Sequence, residues 1–162
     1  MRIARAWRAS SLALAALATL PVAAIESQAL GIVEPIPPQV RQVFACGEWS
    51  ESGISGYYRI VLAEVNYGAG TEVYIQRIRA ADGSSLGLKL LDTTPIRELN
   101  NDHAQYQVSS AKCIGAGARS SVELIATFEH DEGDLRHRVR ISLKVPGSFP
   151  VSNTVLKARR KR

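Results

Sequence analysis

Between Leu135 and Val145 the chain alternates strictly, with Leu135, His137, Val139, Ile141, Leu143 and Val145 on one side and Arg136, Arg138, Arg140, Ser142 and Lys144 on the other. A period of two over that length describes a β-strand with one buried and one wet face. Similar short runs rich in β-branched and aromatic residues cover Arg41 to Glu48, Tyr57 to Asn66, Thr71 to Ala80, Leu86 to Leu91, His103 to Ile114 and Ser120 to His130. Gly, Asn and Asp clusters separate them, as they separate sequential strands. Tyr67-Gly68-Ala69-Gly70 supplies positive-φ positions for a tight reversal, Asp82-Gly83 is a preferred two-residue hairpin loop, and Asp131-Glu132-Gly133-Asp134 makes an acidic turn. Thr94-Pro95 predicts a short helix, with Thr as cap and Pro in the first turn, stopped by Asn100-Asn101-Asp102.

A parallel sheet requires crossover helices, and no amphipathic helix of that length separates the runs. The expected fold is therefore all-β, an antiparallel β-sandwich or partly open barrel of about seven strands in one domain spanning residues 41–146. Residues 25–40 contain Pro35, Pro37 and Pro38 and read as an extended lead-in, while residues 147–162 break into Gly, Ser and Pro and read as a flexible basic tail.

The N-terminus changes where this domain is expected to work. Arg2, Arg5 and Arg8 precede the apolar run SLALAALATLPVAA, and small residues follow, the order of a cleavable signal peptide over residues 1–24 with a helical apolar segment. Val22-Ala23-Ala24 and Ser27-Gln28-Ala29 both offer small-x-small cleavage sites. The run is shorter than the roughly 20 apolar residues a membrane span needs, so no transmembrane anchor is expected after cleavage. The destination would be the periplasm or the extracellular space. Fifteen Arg against five Lys, with abundant Ala, is the bias of a high-GC bacterial genome.

Twenty basic and fifteen acidic residues suggest a polyanion binder until the charges are located. Three basic residues lie in the signal peptide and five more are Lys157, Arg159, Arg160, Lys161 and Arg162, leaving twelve basic against fifteen acidic residues between them. A nucleic-acid-binding domain needs its basic residues clustered on the fold, so nucleic acid is not an expected partner. The C-terminal cluster itself is a candidate contact for an anionic surface, at about 1 kcal/mol per basic residue, or else a solvated end.

Cys46 and Cys113 are the only cysteines. In an oxidising compartment the pair predicts a disulfide, worth roughly 4 kcal/mol on the chain-entropy estimate. Two cysteines do not complete a four-ligand zinc site.

Candidate chemistry is sparse. Gly83-Ser84-Ser85-Leu86-Gly87 has the G-x-S-x-G spacing, and Ser85 with Asp92 or Asp102 and His130 gives the nucleophile, acid and base order of a hydrolase. That motif belongs between a strand and a helix, whereas here it lies in a hairpin. His103, His130 and His137 could converge with Glu129 or Asp131 on a metal, but a hairpin pair falls short of three or four fixed ligands. Gly115-Ala116-Gly117 lacks the following helix that would make it a phosphate cradle.

The expected function is binding of a protein or envelope component by an exported β-domain, with no cofactor, metal or catalytic residue assigned. Trp49, Tyr57, Tyr58, Tyr67 and Tyr74 are candidate contact aromatics, or else ordinary sheet packing. The alternative is a small hydrolase using Ser85 with His130.

Overall fold

The computed structural model describes residues 36–80, 87–100, 106–129, 131 and 135–156. They form two antiparallel four-stranded sheets. Sheet 1 is a meander of β1 (Val40–Glu51), β2 (Ile54–Val65), β3 (Gly70–Arg79) and β4 (Lys89–Pro95). Sheet 2 repeats the pattern with β5 (Tyr106–Ile114), β6 (Ser121–Phe128), β7 (Arg136–Ser142) and β8 (Val151–Leu156). Among the described residues the only helical segments are two three-residue 3-10 turns, and no helix is long and apolar enough to cross a membrane.

Each sheet buries one side of its alternation in a common cluster. Tyr58, Ile60, Leu62, Val73 and Ile75 come from sheet 1, and Val122, Leu124, Ala126, Val139 and Ile141 from sheet 2. The crossing is visible along β5. At its start the Val108 amide donates to Thr71 Oγ1 of β3 at 3.2 Å, and near its end Cys113 bonds Cys46 of β1, with Cα atoms 5.3 Å apart. One strand of sheet 2 thus spans sheet 1 from its third strand to its first. The disulfide expected from the sequence joins an edge strand of one sheet to an edge strand of the other.

Two local expectations are corrected. Thr94-Pro95 starts no helix: β4 runs through Pro95, on a sheet edge where a missing N–H breaks no ladder. A single turn follows, in which the Leu99 and Asn100 amides donate to Ile96 O at 3.0 and 2.9 Å. Ile96 and Leu99 enter the core. Asn100 then acts as a piece of strand, its amide accepting from Val73 N at 2.7 Å and donating to Val73 O at 3.0 Å.

The second correction concerns the C-terminal side, where the described residues hold eight strands against the expected about seven and residues 151–156 form a strand, not a flexible tail. Pro146-Gly147 is a reversal, closed by the Ser148 amide on Val145 O at 3.1 Å with Gly147 at φ 77°. Pro at the second and Gly at the third position is the type II preference. Val151 to Leu156 then pairs with β7 in continuous register from Ile141↔Val151 to Arg136↔Leu156.

Candidate functional site

The outward side of sheet 2 is where unusual chemistry collects. In β7 alternation buries His137, Val139 and Ile141 and leaves Arg136, Arg138 and Arg140 exposed. Register across the four strands sets Lys112, Glu123, Arg140 and Ser152 in one row. Ser110, Ile125, Arg138 and Thr154 form the next row, and Gln107, Thr127, Arg136 and Leu156 a third. The face therefore carries four cations and one carboxylate among hydroxyl side chains.

Glu123 belongs to this solvent side yet is only 6% exposed. Its Oε2 accepts from Arg140 Nε at 3.0 Å and Nη2 at 2.9 Å, with Arg138 Nε at 3.6 Å, while Lys112 Nζ lies 3.1 Å from Oε1. The long side chains cover the carboxylate with their stems and keep their heads in water. The Lys112, Arg138 and Arg140 side chains remain 67%, 44% and 54% exposed. The Arg140 hydrogen bonds first, then Lys112, hold the Glu123 carboxyl below its ordinary pKa. One sequestered anion thus organises three cations without neutralising them. The tail expected to contact anions, Lys157, Arg159, Arg160, Lys161 and Arg162, lies outside the described residues; β8 ends at Leu156, beside Arg136.

The β2–β3 tip adjoins this face. The Ala69 amide donates to Asn66 O at 3.1 Å around Tyr67 (φ 57°, ψ 32°) and Gly68 (φ 91°). These are type I′ angles, for which Asn-Gly or Gly-Gly are the favoured central residues. Tyr67 adopts them at a bulky residue's cost and is wholly exposed, at 112% of its reference area. The Gln107 side-chain amide donates to Gly68 O at 3.3 Å, so the tip sits beside the edge of sheet 2. Pro38, Gln39, Glu64 and Val65 border it around an open depression of about 530 Å³.

The other aromatic candidates separate by burial. Trp49 and Tyr58 are core residues, 4% and 0% exposed, which places them with ordinary sheet packing and removes them from the contact candidates. Bulging in β1 between Ala45 and Glu48 turns the indole inward, where its N–H donates to Tyr57 O at 3.1 Å and Arg77 stacks over it at 5.5 Å. Tyr57 and Tyr74 are half-buried.

Of the hydrolase and metal candidates, Ser85, Asp102, His103 and His130 lie outside the described residues. Asp92 is paired with Arg77, which also holds Glu51 at 2.7 Å. His137 is engaged at both nitrogens, Nδ1 with Asn153 Oδ1 at 2.9 Å and Nε2 with Asp131 Oδ2, and Asn153 donates on to the Tyr106 hydroxyl at 3.2 Å. That network ties the β6–β7 turn to β8 and β5. Among the described residues no group of three or more His, Cys, Asp or Glu is placed to hold a metal. No protein-family model, curated protein or solved structure matches the chain.

Proposed function

We propose that this chain is an exported, non-catalytic β-sandwich that binds an anionic component of the cell envelope through the outer face of sheet 2, extended by the basic residues 157–162. The observation that carries the reading is the burial of Glu123 under Lys112, Arg138 and Arg140, with all three heads still in water. A fold that needed only solubility gains nothing from concentrating like charge on one sheet, and self-repulsion makes such clustering unfavourable. Export is supported by the N-terminal charged and apolar pattern and by the disulfide, a bond typical of oxidising compartments. The sandwich is supported by one core cluster fed from both sheets and by the passage of β5 across sheet 1. Arginine beside hydroxyl donors suits carboxylate, sulfate or phosphate oxygens, which guanidinium meets with paired N–H groups.

The test is retention of the oxidised protein on an envelope fraction across a salt series. The paired substitution Arg136→Ser, Arg138→Ser and deletion of residues 157–162 are each expected to lower the salt at which half the protein elutes. Retention that ignores salt, or survives both changes together, would show that this face is only a solvated surface.

A further inference from the structure

The geometry points to an acidic glycan as the anionic partner, with Tyr67 as the platform on which one of its sugar rings stacks. This inference rests on the anionic-envelope reading and names the class of ligand. Tyr67 is the first ground. Its backbone occupies the left-handed region in a turn that Asn would make without penalty, and its ring makes no use of the fold, being wholly exposed. A residue that costs stability and packs against nothing is explained by what it meets outside.

The surroundings of the ring give the second ground. A protein hot spot is an aromatic ringed by packed contacts that exclude water, but here the exposed neighbours include the polar Gln39, Asn66 and Gln107 beside Pro38 and Ala69, with Glu64 half-exposed and paired with Arg41 at 3.4 Å. Amide and carboxylate groups beside a bare aromatic match a hydroxyl-rich ligand. Sugar C–H bonds carry slight positive charge and meet the negative face of the ring, as ring edges do in aromatic pairs, while the hydroxyls find both donors and acceptors.

Position is the third ground. Gln107, which holds the tip through Gly68 O, heads the row that continues through Thr127 to Arg136. Neighbouring strands lie about 4.8 Å apart, so Gln107 and Arg136 are separated by roughly 10 Å, the length of about two sugar residues. An acidic oligosaccharide long enough to cover that separation and the step from Gln107 to the tip can hold one ring on Tyr67 and present its anionic groups to Arg136 and Arg138. A phospholipid surface would also use the arginines and take a tyrosine at headgroup level, and the vesicle arm of the test separates it from a glycan.

The test is calorimetric titration of the oxidised full chain at low salt with oligogalacturonate, its neutral methyl ester and sulfated dextran. Sedimentation with vesicles of equal parts phosphatidylglycerol and phosphatidylcholine runs in parallel. Binding to at least one acidic glycan is expected, weakened about tenfold by Tyr67→Asn, on the scale of a lost stacking contact, with the salt dependence unchanged. The paired Arg136→Ser, Arg138→Ser substitution is expected to reduce that dependence. Vesicle binding without glycan binding, or glycan binding indifferent to Tyr67→Asn, overturns the glycan assignment and leaves the anionic reading standing. Binding to neither glycans nor vesicles overturns both. Tyr67→Asn creates the favoured Asn-Gly turn, so a folded variant is expected, checked by a melting temperature no lower than that of the parent.

Discussion

The two sheets share a topology and a core but differ on their outer faces. On sheet 1 the cross-strand row Arg59, Gln76, Thr93 is a ladder of hydrogen bonds, with Arg59 Nε on Gln76 Oε1 at 2.7 Å and Gln76 Nε2 on Thr93 Oγ1 at 3.2 Å. Beside it run Val61, Tyr74 and Pro95, and Glu72 accepts the Tyr74 hydroxyl. That face answers its polar groups internally. On sheet 2 three cations share the Glu123 carboxylate and Arg136 stands in a neighbouring row, so charge is left over for something outside. Two meanders with the same inward chemistry thus show that the fold sets which residues face out, and leaves open what they do there.

The largest expected effect concerns what holds the two faces in relation. Replacing Cys46 and Cys113 together by Ala removes a cross-link between residues 67 apart, at a cost of about 4 kcal/mol on the chain-entropy estimate, measured by chemical denaturation. Because the Glu123 cluster lies wholly within sheet 2, the doubly substituted protein, while folded, is expected to keep the salt-dependent, arginine-borne part of its affinity for anionic ligands. Loss of that affinity in a folded variant would make the cationic face dependent on sheet 1 and remove the contrast between them.

The contrast itself is tested next. Each basic residue near an anionic surface is worth about 1 kcal/mol, so the paired Arg136→Ser, Arg138→Ser substitution should weaken binding by roughly 30-fold. Arg59→Ser on sheet 1 should change it by less than about twofold on the same scale. Equal losses from both faces would mean that net charge, and not the arrangement on sheet 2, governs binding.

How much of this was legible beforehand depends on range. Alternation in residues 135–145 gave the strand and placed three arginines on its wet side, because a period of two is a local property. Whole-domain charge then concealed the cluster, since acids at Asp131, Glu132 and Asp134 offset those arginines in the count. Recognising Glu123 required knowing that it lies between Lys112 and Arg140, a matter of register over three strands. Strand β8 was missed because Val-Ser-Asn-Thr-Val-Leu is short and polar, and its stability comes from pairing with β7. The inward turn of Trp49 was not legible because a bulge changes the parity of β1, and the sequence does not mark where a bulge falls.

Glu123 offers a pH test of the same cluster. Its carboxyl pKa is lowered in the folded protein, so its contribution is fully present above the unfolded-state pKa and is lost as pH falls through the folded value. Glu123→Gln should therefore melt below the parent at neutral pH, and the two melting temperatures should converge on acidification below the ordinary carboxylate range. A gap that persists unchanged into acid would mean that the amide donors brought by Gln, and not the lost charge, lower the melting temperature.

The smallest effect separates the two hairpin tips of sheet 1. Ser52-Gly53 closes β1 to β2 at φ 52° and 78°, and Tyr67-Gly68 reverses the chain between β2 and β3 at φ 57° and 91°. Both pairs use left-handed backbone, but a bulky aromatic is the worse fit to it. Tyr67→Asn should raise stability by about 1 kcal/mol, near 4 °C in melting temperature for a domain of this size. Ser52→Asn should gain only a few tenths of a kcal/mol. If Tyr67→Asn gains nothing, Tyr67 sits in its turn without penalty, and its presence there needs no ligand to account for it. If it gains stability and loses binding in the same variant, one turn serves the fold and the other serves a partner.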